Sequence, residues 1–144
     1  MQTLVFVYGT LKRGERNHHV LAAAQYLGAV VTAEARFTLC EYASVSSPGR
    51  LAPSVEAGGT HRIAGELYAV DADLLARLDR LERVGVDYQR QAIPLASGDM
   101  AQIYLRAAAS RRPALPELTL ARLTGDVVDW SEVRYGADAA ASRP

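Results

Sequence analysis

Two stretches of this chain carry residue types that could do chemistry. The first is Tyr8-Gly9-Thr10-Leu11-Lys12-Arg13-Gly14, a short polar loop that follows the apolar run Leu4-Val5-Phe6-Val7. Gly9 and Gly14 let the chain turn sharply and let its amide N–H groups approach a ligand closely. Thr10 adds a hydroxyl. Donors of this kind, held at the end of a rigid strand, suit an anionic group or a developing oxyanion. The second is Glu82. On a helical wheel set to zero at Leu74, Leu75 falls at about 100°, Leu78 at about 40° and Leu81 at about −20°. Glu82 falls at about 80°, inside that apolar stripe, whereas Arg77, Arg80 and Arg83 point away from its centre. A carboxylate turned toward a core is costly unless it is paired, and its pKa rises in response. Three readings stand open: Glu82 pairs with an Arg such as Arg90, it reaches solvent at a frayed helix end, or it is a general base facing a cavity.

The elements that must position these residues are legible in outline. An unbroken apolar run from Leu4 to Val7 predicts a strand buried on both faces. Asn17 is read as the cap of a short helix through Ala24, with Gly28 ending it and Ala29-Val30-Val31-Thr32 as a strand. Arg36 to Tyr42 alternates polar and apolar and predicts a half-buried strand. Ser44 to Gly59 is read as a loop, with Pro53-Ser54-Val55 as a brief apolar dip. Arg62 to Val70 is a strand with Ile63, Leu67 and Ala69 on one face. Asp71 caps the helix that carries Glu82, and Asp73 complements its positive end. Tyr88 to Leu95 and Met100 to Leu105 form a hairpin across Ser97-Gly98-Asp99. Past Ser110 the periodicity weakens, and a covering helix or loop is expected. The sum is an α+β fold, a small mixed β-barrel or strongly curved sheet with flanking helices. A single domain is expected over 1–136, with 137–144 as a flexible tail.

Composition excludes several classes. The chain has 144 residues, enough for one domain with a good core, and its formal net charge is zero. Neither a nucleic-acid partner nor a membrane surface is expected. No apolar stretch approaches the ~18 residues of a membrane span, and the start lacks the basic region of a signal peptide. The single cysteine, Cys40, reads as a small hydrophobe in a reducing cytoplasm. His18, His19 and His61 have no metal spacing, so no metal and no cofactor are expected.

Other residues carry two readings each. Tyr8 is a core aromatic or a ligand contact. Tyr88 packs, or hydrogen-bonds within a pocket. Asn17 is read as a cap rather than a substrate group, and Asp79 as structural. Lys12, Arg13 and Arg16 form a solvated basic loop, or else grip a phosphate or an acidic leaving group. Trp130 anchors the tail.

Val5 to Gly14, followed by Asn17-His18, resembles the opening of the gamma-glutamylcyclotransferase-like family, closest to its gamma-glutamylamine cyclotransferase branch. Pro53-Ser54-Val55 looks like that family's Pro-containing segment. Gly65-Glu66-Leu67-Tyr68-Ala69-Val70-Asp71 resembles its central strand. Leu78-Asp79-Arg80-Leu81-Glu82, with Asp87-Tyr88-Gln89-Arg90, resembles its catalytic helix and the strand after it. The resemblance fades after Ser110. It implies a small barrel, a Tyr8-Gly9-Thr10-Leu11 loop that binds the glutamyl head group with Tyr88 nearby, and Glu82 as the acid/base.

The reaction so implied is intramolecular. The substrate's α-amine attacks its own side-chain carbonyl, 5-oxoproline closes, and a free amine departs. The nucleophile travels with the substrate, so the protein need only move protons and fold the glutamyl chain. The expected partner is a small gamma-glutamyl amide, handled by a monomer or weak homodimer. Two alternatives stand beside this: removal of a gamma-glutamyl protecting group in a biosynthetic pathway, and a non-catalytic module that binds a small ligand on the same fold.

Overall fold

The computed structural model describes residues 2–44, 47–107 and 113–141, with side chains to 136. Its strands are β1 (Thr3–Val7), β2 (Gln25–Val31), β3 (Phe37–Ala43), β4 (Leu51–Ala57), β5 (Arg62–Val70), β6 (Tyr88–Pro94), β7 (Met100–Arg106), β8 (Ala121–Thr124) and β9 (Val127–Trp130). Two helices accompany them, α1 (Ala72–Leu81) and α2 (Glu132–Ala141). No helix among the described residues is long and apolar enough to cross a membrane.

β1 lies at the centre. It pairs antiparallel with β5 and parallel with β7. β5 also holds β2, and β7 also holds β6. The sheet curls until β2 and β6 touch: Thr32 bridges Leu95, and the Ala96 N–H donates to the Val31 carbonyl at 2.8 Å. This is the curved mixed sheet with flanking helices expected from the sequence. Phe6, Leu67, Ile93, Ile103 and Trp130 fill the inside. Val5, Val7, Tyr68, Val70 and Tyr104 face outward beneath Leu78 of α1. Two packed faces explain why Leu4–Val7 shows no polar alternation.

Two expectations about the chain's course are corrected. The segment read as a loop over Ser44–Gly59 contains β4, paired along its whole length with β3. Pro53 hid it, because proline is rare within sheets. It is tolerated here because the other side of β4 meets β7 at one paired position only, Val55 with Leu105. The stretch past Ser110 forms the β8–β9 hairpin, with β9 parallel to β5. The tail expected over 137–144 lies outside the described side chains.

α1 is capped as expected: the Leu74 N–H donates to Asp71 Oδ1 at 2.8 Å. Its apolar stripe needs one correction. Leu78 is fully buried, but Leu81 is 46% exposed. The inward row is Leu74, Leu78 and Glu82, spaced four apart, with Leu78 buried and the other two half-buried, so the inward side of the helix is turned toward Glu82.

Candidate active site

The site lies where β7 changes neighbour. Its early residues run beside β1, with Gln102 opposite Val5, and its later ones beside β4, with Leu105 opposite Val55. At this split the chain leaves β1 and backbone groups lose their ladder partners. Tyr8 spans the gap. Its hydroxyl donates to the Tyr104 carbonyl at 2.8 Å and accepts from the Val55 N–H at 3.1 Å. Burial pushes that hydroxyl well above its ordinary pKa, with Tyr88 and Glu82 adding to the shift. Tyr8 is therefore a neutral strut, and its ring lines the cavity beside it.

Gly9 follows. A Cβ there would lie 2.4 Å from Pro53 Cγ, so glycine is required by the ring packed against it. This differs from the reason the sequence suggested, which was close approach of a ligand. The turn beyond is closed by Lys12 N–H to the Gly9 carbonyl, 3.1 Å, and by Asn17 N–H to the Thr10 carbonyl, 2.9 Å. Asn17 stands at the N-cap of a single 3-10 turn, His18–Leu21, and not of a helix running to Ala24. It makes no side-chain capping bond, and its Nδ2 donates to Thr10 Oγ1 at 3.0 Å. Among the described residues, the N–H groups of Gly9, Thr10 and Leu11 donate to no protein acceptor.

Of the basic cluster Arg13 alone is solvated, its side chain 59% exposed; Lys12 and Arg16 are not. Lys12 is 5% exposed, and its Nζ bonds Asp129 Oδ1 at 3.2 Å and the Trp130 carbonyl. Arg16 bonds both Glu132 oxygens and the Leu51 carbonyl. Buried Glu15 accepts from the Glu132 N–H and from Ser131 Oγ, both at 2.8 Å, and so caps α2. These contacts fasten the loop to β9 and α2.

Glu82 enters from the other side. It is the C-terminal cap of α1, and its own N–H donates to the Leu78 carbonyl at 2.9 Å. Arg83 follows at φ 51°, a left-handed conformation that usually takes glycine. Arg83 N–H donates to the Arg80 carbonyl and Val84 N–H to that of Asp79, which completes a Schellman ending. The helix thus stops just as the Glu82 side chain reaches the cavity. Arg90, the partner the sequence offered for Glu82, is committed elsewhere: its guanidinium holds Asp79 at 2.9 and 3.2 Å. Asp79 also accepts from the Tyr104 hydroxyl at 2.7 Å, the structural role expected of it. The half-buried Glu82 carboxylate makes no hydrogen bond or ion pair among the described residues. Burial pushes it up to about 7, and the Asp87 carboxylate adds to the shift.

One cavity collects these parts. It encloses about 440 Å³, counting the space open at its mouth. Tyr8, Gly9, Thr10, Leu11, Tyr88 and Glu82, the six residues expected from the sequence, all line it. Phe6, Val7, Ala52, Pro53 and Tyr104 complete the wall. The Tyr88 hydroxyl hydrogen-bonds to Ser54 Oγ and reaches the Pro53 carbonyl at 3.4 Å. Ala52 was not singled out from sequence, and Pro53 and Asp87 were named only within motifs, with no place in the site given to them. For Asp87 a signal was present, since it lies five residues past Glu82 in a segment that turns back on the helix end. Among the described residues no His, Cys, Asp or Glu group could hold a metal.

A small-residue loop with unpaired amides, facing an unpaired carboxylate near neutrality, is the equipment of proton-transfer and oxyanion chemistry. A sequence model for the family described as gamma-glutamyl cyclotransferase, AIG2-like, matches residues 5–125. The chain is 44% identical over 105 residues to a Vibrio cholerae protein provisionally named a gamma-glutamylcyclotransferase, covering 73% of this chain and 83% of that one. It is 40% identical over 92 residues to human gamma-glutamylaminecyclotransferase, covering 62% of this chain and 60% of that one. The crystal structure of a mouse AIG2-like protein superposes with a TM-score of 0.62 at 27% identity, over 81% of this chain and 88% of that one. The chain belongs to the gamma-glutamylcyclotransferase, AIG2-like family.

Proposed function

We propose that this protein cleaves gamma-glutamyl amides by internal cyclisation, releasing 5-oxoproline and a free amine. Glu82 takes a proton from the substrate's α-ammonium. The freed amine attacks the side-chain carbonyl, and the tetrahedral oxyanion forms within reach of donors such as the Gly9–Leu11 amides. As the C–N bond breaks, Glu82 returns that proton to the departing nitrogen, and it then carries a second proton from the ring nitrogen to the freed amine. Overall, two protons pass from the attacking nitrogen to the leaving one, and no solvent proton is consumed. A carboxyl near 7 suits both halves of this exchange at neutral pH. A walled cavity with donors on one side and Glu82 on the other can also hold a flexible glutamyl chain folded so that amine and carbonyl meet.

The observation that carries the reading is the unpartnered Glu82 carboxylate lining one cavity with the Tyr8–Leu11 loop. The test is lactam release from a set of gamma-glutamyl amides. Glu82→Gln is expected to fold normally and to release lactam ~10²-fold or more slowly. Undiminished turnover in that variant would remove Glu82 from the mechanism. A wild-type protein that binds the amides yet forms no lactam would instead be the non-catalytic binding module.

A further inference from the structure

α1 grips the sheet unevenly along its length. Leu74 and Leu78 join the apolar cluster of Val5, Val7 and Tyr68 beneath them. Past Leu78 the apolar contact runs out, and Leu81 in the final turn is exposed. Yet the final turn is the part that delivers Glu82. Apolar burial is non-directional, so it does not by itself fix where that turn points.

Polar contacts do the holding there, and Asp79 makes them with both its side chain and its backbone. Its carboxylate accepts from Arg90 Nε at 2.9 Å and Nη2 at 3.2 Å, a forked contact to β6. It also accepts from the Tyr104 hydroxyl of β7 at 2.7 Å. Arg90 and Tyr104 stand opposite each other in the β6–β7 pairing, so one carboxylate bridges two paired strands. Arg90 is steadied in turn by Gln102, whose Oε1 accepts from Nη1 at 3.2 Å. The Asp79 carbonyl accepts from Val84 N–H at 3.0 Å, the bond that closes the turn around Glu82. Forked, charge-assisted bonds constrain direction as well as distance. Asp79 and Glu82 are three residues apart, neighbours on the helix surface, so a swing that breaks one contact moves the other. Tyr104 links the two directly: its hydroxyl is on Asp79 and its ring lines the cavity with Glu82.

The final turn also has somewhere to go. A second space of about 720 Å³, counting its open side, shares Thr10, Ala52, Glu82 and Tyr88 with the cavity. Around Glu82 the titratable and charged groups are Tyr8, Tyr88 and Tyr104 from the strands, Arg16 from the loop, and Arg83 and Asp87 beyond the helix. Burial is the first cause of its raised proton affinity and the Asp87 charge the second. A carboxylate released toward the open space loses the first of these.

We propose that Asp79, Arg90 and Tyr104 form a positioning clamp for Glu82: they fix the direction in which α1 ends and so hold the acid/base in the smaller cavity, away from the open space beside it. The kinetic consequence rests on the cyclotransferase reading above; the placement of the carboxyl does not.

The test uses changes that keep the local charge balance, because removing Asp79 alone lowers the proton affinity of Glu82 whatever the geometry. Asp79→Asn with Arg90→Gln deletes the ion pair as a unit, and Tyr104→Phe deletes one donor and no charge. The readout is the 13C titration of the Glu82 carboxyl, assigned by its loss in Glu82→Gln, beside kcat and KM for lactam release. The wild-type carboxyl should titrate near pH 7. In the double variant it should titrate lower by about one pH unit or more, as burial is lost. There kcat should fall ~10-fold or more with KM little changed, the mark of a misplaced group. Tyr104→Phe should shift the titration the same way by less. Arg62→Gln with Asp126→Asn removes another forked pair, which ties β5 to the β8–β9 turn and lines neither space, and should leave titration and kcat in place. A folded double variant whose Glu82 still titrates near 7 overturns the clamp, even if that protein is less stable. If the double variant does not fold, Tyr104→Phe decides on the same criterion. The expected shift in a protein that releases no lactam upholds the clamp and overturns the cyclotransferase reading.

Discussion

Glu41 and Glu82 both turn a carboxylate toward apolar surroundings, one from β3 and one from the end of α1. Glu41 is wholly buried. It accepts from Trp130 Nε1 and Leu120 N–H, each at 3.0 Å, and from Thr119 N–H at 2.5 Å. Those donors all come from the segment that ends in β9, so Glu41 stitches the far end of the chain to the barrel. Glu82 is less deeply set yet finds no donor among the described residues. A charge with three N–H partners inside a protein is a structural element. A carboxyl left without them holds its proton to about 7 and stays available for exchange. What separates scaffold from chemistry here is the supply of donors, not depth of burial.

The largest expected effect is at the structural end of this comparison. Glu41→Ala strands the Trp130, Leu120 and Thr119 donors and should cost about 3–5 kcal/mol of stability, read from denaturant midpoints. A loss below about 1 kcal/mol would mean that Glu41 is not the stitch described.

The next effect has the opposite sign at Glu82. Its folded pKa of about 7 lies above its ordinary value of 4.5, so the native state binds more protons than the unfolded chain between those pH values. Wild-type stability should therefore fall as pH rises through that window, by on the order of 2–3 kcal/mol, and then level off. Glu82→Gln should lack this slope. Parallel stability–pH curves for the two proteins would show that Glu82 titrates normally. If Glu82 is the base of the proposed reaction, the same titration should put the acid limb of kcat/KM near pH 7, because the base form is the one that would accept the substrate's proton.

The smallest effect tests the loop that faces Glu82. Gly9→Ala drives a methyl into Pro53 and should cost about 1–3 kcal/mol. Adding Pro53→Ala, which removes the obstructing ring carbons, should recover most of that in a double-mutant comparison. Additive losses would locate the clash elsewhere.

Much of this architecture was legible from local signals. The apolar run of β1, the Asp71 cap, the β6–β7 hairpin and the inward angle of Glu82 each depend on residues close together in sequence. Glu41 was equally readable, since period two places it on the face of Phe37 and Leu39, but no donor for it can be seen from β3 alone. What stayed hidden depends on distant partners. Pro53 is a strand residue because one side of β4 is almost unpaired. Lys12 is buried because Asp129 and Trp130 arrive from far along the chain. Leu81 left the apolar stripe because the helix rolled to bring Glu82 inward. β8 and β9 are short strands whose pairing is decided by β5 and by each other.

The fastening of the substrate loop through Lys12, Glu15 and Arg16 to β9 and α2 has a consequence for how the molecule fails. Local opening begins most readily where few contacts must be broken. Here α2 also clamps the segment whose amides line the candidate site. Mild heat or denaturant that frees α2 therefore blurs the loop while the curled sheet is still intact. On the proposed function, lactam release is lost first, and the spectroscopic signature of the barrel outlives it.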